Sequence, residues 1–87
     1  MSITVDLTYD MGKCLGEPRL ELEGATTVAD VVRLTRDRFG PEGTRFDQLA
    51  RVAAVAVNGV LANHQRGMKT ALSDGDVVAF VKAAAGG

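Results

Sequence analysis

The chain has 87 residues, 46% apolar and 24% charged, with a formal net charge of −1. These are the proportions of one soluble globular domain, near the lower size at which a core stabilises itself without staples. The scattered basic residues argue against a nucleic-acid footprint, no stretch has the length and apolarity of a membrane span, no signal-peptide pattern opens the chain, and the single Cys14 excludes an internal disulfide and points to a reducing, cytoplasmic setting.

Ile3, Val5, Leu7 and Tyr9 alternate with Thr4, Asp6, Thr8 and Asp10, which predicts a half-buried strand over 3–9. Leu20 and Leu22, between Arg19, Glu21 and Glu23, predict a second strand. Gly12, Gly16 and Pro18 lie between them, so 10–18 is expected to be a long, mobile hairpin loop. The period then changes. Val28, Val31, Val32, Thr35 and Phe39 fall at helical spacing. Thr27 followed by Asp30 is close to a capping box, and Gly40-Pro41 is a stop signal. One helix over 28–39 is predicted.

Residues 42–51 fit a short helical turn or an irregular loop. Val52 to Val57 reads as a strand, Asn58-Gly59 as a type I′ hairpin turn, and Val60-Leu61 as the start of the return strand. A polar loop follows from Asn63 to Lys69, and Asp74-Gly75 marks the last turn. The order β-β-α-β-β-β, without repeats or linkers, predicts an α+β domain with one main helix across a small mixed sheet.

Val77-Val78-Ala79-Phe80-Val81 is a continuous apolar run and reads as a strand buried on both faces. The next six residues, Lys82 to Gly87, hold no large apolar side chain. The expected division is a domain over 1–81 and a tail over 82–87. Fully extended, that tail reaches roughly 20 Å. Its bare backbone suits a narrow tunnel in a partner enzyme. Its reactive group would be the α-carboxylate of Gly87. A carboxylate is a poor electrophile, so ATP would first have to convert it to an acyl-adenylate.

Thr27 to Val32, Ala56 to Leu61, Leu72 to Phe80 and the closing Gly86-Gly87 together resemble the MoaD/ThiS family of ubiquitin-like sulfur carriers, nearer in length to MoaD, the molybdopterin synthase small subunit. The resemblance implies a β-grasp fold with the first and last strands parallel in mid-sheet. It implies that a ubiquitin-activating-type adenylating enzyme activates Gly87 with ATP. Sulfur transfer then makes a thiocarboxylate, which feeds a sulfur-accepting synthase subunit, and the folded domain performs no catalysis and binds no cofactor. Gly86, Ala85 and Ala84 would form, with Gly87, the tail that enters the tunnel. Lys82-Ala83-Ala84-Ala85 stands where MoaD-like chains carry a proline pair, so the tail is expected to be less pre-extended. Cysteine, thiamine, tRNA-thiolation and secondary-metabolite pathways stay open beside molybdopterin synthesis.

A tail entering a tunnel needs an apolar docking patch at its base, and one of Phe80 and Val81 is expected to supply it. A run without a period does not say which. The other chemistry-bearing residues have plainer readings. Cys14 reads as an incidental thiol. His64 has no second ligand at metal spacing and reads as a solvated loop residue. Asp74 and Asp76 belong to a turn, and Arg33, Arg36 and Arg38 to a solvated helix face partly paired with Asp37. No nucleophile–base pair is recognisable. Two further function classes fit the same sequence. One is a ubiquitin-like modifier joined through Gly87 to lysines. The other is a plain interaction module.

Overall fold

In a computed structural model, which describes residues 1–62 and 65–82, five strands form one sheet in the order β2-β1-β5-β3-β4. Strand β1 (Ser2–Asp6) pairs antiparallel with β2 (Arg19–Glu23) and parallel with β5 (Val77–Lys82). Strand β3 (Ala53–Val57) runs antiparallel to β5 and joins β4 (Val60–Leu61) through Asn58-Gly59. Both turn residues have positive φ, 51° and 84°, as a type I′ turn requires. The first and last strands are therefore parallel neighbours in mid-sheet, as expected. Strand β5 continues one residue beyond Val81, to Lys82.

Among the described residues three helices pack on the sheet, not one. The expected loop over 10–18 contains helix α1 (Tyr9–Leu15). Thr8 caps it by accepting from the Met11 amide at 3.2 Å, and Gly16 closes it in the left-handed conformation with φ 81°. Met11 and Leu15, one turn apart, enter the core. The strand predicted over 3–9 therefore ends at Asp6, and Tyr9 lies on the surface. The alternation runs on past Asp6 by coincidence, because Thr8 serves equally as an outward strand residue or a helix cap.

Helix α2 (Val28–Phe39) has the predicted bounds. Thr27 Oγ1 accepts from the Asp30 amide at 3.2 Å. The Asp30 carboxylate reaches one residue further back than in a capping box, accepting from both the amide and the hydroxyl of Thr26. Those bonds, with the nearby Arg33, hold its pKa far below the usual carboxylate range. Arg36 pairs with Asp37, as expected of a solvated face. Arg38 does more: it donates to the Glu21 carbonyl at 3.0 Å, occupying part of the open edge of β2.

Residues 42–51 lie within helix α3 (Pro41–Val52). Pro41 both ends one helix and opens the next, where its missing N–H costs nothing. Gly43 lets α3 cross close over α2. A Cβ there would overlap the Arg36 carbonyl oxygen and lie 2.8 Å from its carbon. Phe46 is fully buried and meets Phe80 edge-on, ring centroids 5.6 Å apart. Val52, read as the first strand residue, is the last of α3, and β3 starts at Ala53. The polar loop contains a short 3₁₀ turn at Gly67–Lys69.

The core is formed by inward residues of the sheet and by one stripe of each helix. Ile3, Val5, Leu20, Leu22, Val78 and Phe80 meet Met11, Val31 and Phe46. Among the described residues, the opposite sheet face carries no helix.

Candidate functional site

Strand β5 is held firmly where it begins. The Asp76 carboxylate accepts from the Ser73 amide at 2.8 Å and from the Asn58 side-chain amide at 3.0 Å. Those two bonds lower its pKa, the backbone bond contributing most. The Asn58 side-chain oxygen in turn accepts from the Val77 amide. Asp74 accepts from the Ser2 amide at 2.7 Å, tying the turn to β1. The aspartate pair is thus turn chemistry, as its spacing with Gly75 suggested.

Along β5 the side chains alternate. Val78 and Phe80 point to the helices and are buried, while Val77 and Val81 face the open side. The expectation of a strand buried on both faces is therefore corrected. An apolar run implies two covered faces only when elements pack on both sides, and here all three helices lie on one. The same alternation separates Phe80 from Val81. Phe80 is 4% exposed and belongs to the core; Val81 is 45% exposed and available to a partner.

The open face is divided along the β1–β5 boundary. One cross-sheet row runs Arg19, Asp6, Ala79, Ala56, Leu61. On the β1–β2 side the outward residues are Ser2, Thr4, Asp6, Arg19, Glu21 and Glu23, all polar or charged. Asp6 and Arg19 form an ion pair at 2.6 Å. On the other side the outward residues are Val77, Ala79, Val81, Ala54, Ala56 and Leu61, all apolar. The small, half-buried side chains of Ala54 and Ala79 make a shallow floor between Val77, Val81 and Leu61, and Ala56 beneath them is buried. Such a patch beside a polar rim marks a protein-binding surface.

Lys82 is the last described residue. Ala84, Ala85, Gly86 and Gly87 lie outside the described residues, as does His64. Cys14 is half-buried on α1, its Sγ 3.6 Å from the Glu42 carbonyl it donates to. Among the described residues no cluster of three metal-ligating side chains occurs, and no helix is long and apolar enough to cross a membrane.

The model of the ThiS family matches residues 11–87. The chain belongs to the ThiS family. No curated protein matches the sequence. Among solved structures, the chain is similar to small archaeal modifier protein 1 from Methanosarcina acetivorans, with TM-score 0.82 and 21% identity over 99% of this chain and 96% of that one. It is similar to a chain of the Amycolatopsis orientalis BexX/CysO complex, with TM-score 0.77 and 26% identity over 98% and 99%. Urm1 from Trypanosoma brucei aligns with TM-score 0.71 and 27% identity over 99% and 95%. The shared architecture is the ubiquitin-like β-grasp fold.

Proposed function

We propose that this ThiS-family protein is a sulfur carrier, and that Gly87 is its reactive residue. The observation that carries the reading is the family match, which extends through Gly87, on a chain whose central strand reaches the surface at Lys82, five residues before Gly87. A ubiquitin-activating-type adenylating enzyme binds ATP and the tail together. A Gly87 carboxylate oxygen attacks the α-phosphorus, and pyrophosphate leaves. Hydrosulfide then attacks the acyl carbon, the carbon–oxygen bond to AMP breaks, and AMP departs with that electron pair. A thiocarboxylate remains, without change of oxidation state. A biosynthetic synthase of molybdopterin-synthase-like or related type accepts the sulfur. The carrier contributes reach and docking, and its partners contribute the catalysis.

The split open face supports this reading. A partner seated on Val77, Val81 and Leu61 lies beside the start of the terminal segment. Val81→Asp places a charge in that contact and is expected to weaken binding to the adenylating enzyme by about tenfold or more.

The test is intact mass after incubation with ATP, sulfide and the cognate adenylating enzyme. The full chain should exchange one oxygen for one sulfur. Deleting Gly87 withdraws the carboxylate by about 3.3 Å, and extending the chain by one residue overshoots, so both should fail to load. Loading of the deletion variant would refute Gly87 as the reactive residue. A ubiquitin-like modifier uses the same activation but ends in an amide to a lysine of another protein. Accumulation of such conjugates with no thiocarboxylate would favour that second reading.

A further inference from the structure

The point where the terminal segment departs is surrounded by exposed apolar side chains from three elements. Pairing of β1 with β5 stops at Asp6 opposite Ala79, because the chain turns away there into α1. A groove of about 320 Å³ opens beside the end of β5, lined by Thr8, Tyr9, Asp10, Phe80, Val81 and Lys82. A second groove, of about 210 Å³, adds Leu49, Val52 and Ala53 to the shared Thr8, Asp10 and Lys82. Lys82 stands between the two.

Tyr9 is the first residue of α1 and Val52 the last of α3, and they are 80% and 71% exposed. They are the most exposed large apolar side chains among the described residues. Neither enters the core, so the fold does not account for them. Val81 completes a three-sided collar around Lys82.

Chain length decides what this collar meets. Five residues separate Lys82 from Gly87 and span at most about 17 Å. A partner that encloses the Gly87 carboxylate must therefore bring the mouth of its channel down onto the residues around Lys82. We infer that Tyr9, Val52 and Val81 form an apolar collar that seats the rim of the adenylating enzyme's tail channel. This rests on the carrier reading above. It differs from docking on the open sheet face alone, since Tyr9 and Val52 belong to helices on the other side. The rim that fits is apolar, with at most a few polar groups to meet Asp10 and Lys82.

The experiment is steady-state ATP–pyrophosphate exchange by the cognate adenylating enzyme, with the full chain as substrate. The combined Tyr9→Ser, Val52→Ser variant should raise KM for the carrier by about tenfold or more, with kcat at saturation within about twofold. Tyr9→Phe should keep the wild-type KM, because the ring and not the hydroxyl makes the contact. Val60→Ser, at an exposed apolar site on β4 outside the collar, should also keep it. An unchanged KM in the double variant would overturn the inference, as would an equal rise in Val60→Ser or a rise in Tyr9→Phe. Thermal melts of all variants separate lost contact from lost folding. Normal exchange by wild type with an insensitive collar sinks this inference alone; an inert wild type sinks the carrier reading and the collar with it.

Discussion

Phe80 and Val81 are neighbours in sequence with opposite environments, and replacing each should produce opposite effects. Phe80 is 4% exposed and meets Phe46 edge-on at 5.6 Å. Truncating a buried phenylalanine to alanine costs about 3–5 kcal/mol through lost transfer energy and the cavity left behind. The edge-to-face pair accounts for about 0.5–1.5 kcal/mol of interaction beyond buried area. A domain of this size is stable by only about 4–13 kcal/mol. Phe80→Ala should thus remove a large share of the stability and lower Tm by about 12 °C or more. Val81→Asp changes a side chain that is 45% exposed on a helix-free face, so stability should stay within about 0.5 kcal/mol of wild type. Urea unfolding followed by circular dichroism measures both. The assignment of β5's two faces fails if Phe80→Ala costs under 1 kcal/mol, or if Val81→Asp destabilises as much as Phe80→Ala. A Phe46→Ala, Phe80→Ala cycle should show coupling, because the two rings share one contact.

Gly43→Ala puts a methyl against the Arg36 carbonyl, so α3 must lift from α2. A loss of about 1–3 kcal/mol in thermal or urea unfolding is expected, and a neutral result would mean that the helices do not cross so closely. Asp30 and Asp76 both have pKa values lowered by hydrogen bonds in the folded state. Their contribution is therefore fully present above the unfolded pKa and lost as pH falls through the folded values. The urea midpoint should hold steady from about pH 5 upward and drop below about pH 4, with a shallower acid slope in Asp76→Asn. Cys14→Ala should leave sulfur loading of Gly87 intact by mass, since the thiol is half-buried and donates to the Glu42 carbonyl; loss of loading there would move the sulfur to Cys14.

Local pattern alone determined several elements of this protein. The helix over 28–39 followed from 3.6-residue spacing with Thr27 before it and Gly40 after it, all short-range signals. The Asn58-Gly59 hairpin and the Asp74-Gly75 turn followed from backbone conformations that few other residues adopt. The parallel pairing of the first and last strands was implied by the family resemblance, not by the pattern. Helix α1 was legible in principle, from Thr8 as cap, Met11 and Leu15 one turn apart, and Gly16 beyond. The competing two-residue period through Leu7 and Tyr9 masked it.

Only the tertiary structure decided which faces are covered. Val77 to Val81 has no period, so nothing local separates Phe80 from Val81. The separation arises because α1, α2 and α3 all pack on one side of the sheet, leaving the other open. The gathering of Tyr9, Val52 and Val81 around Lys82 is equally invisible in sequence, where they lie in three distant segments. Burial is a relation between elements, and a one-dimensional pattern records it only when its period reveals the side that is covered.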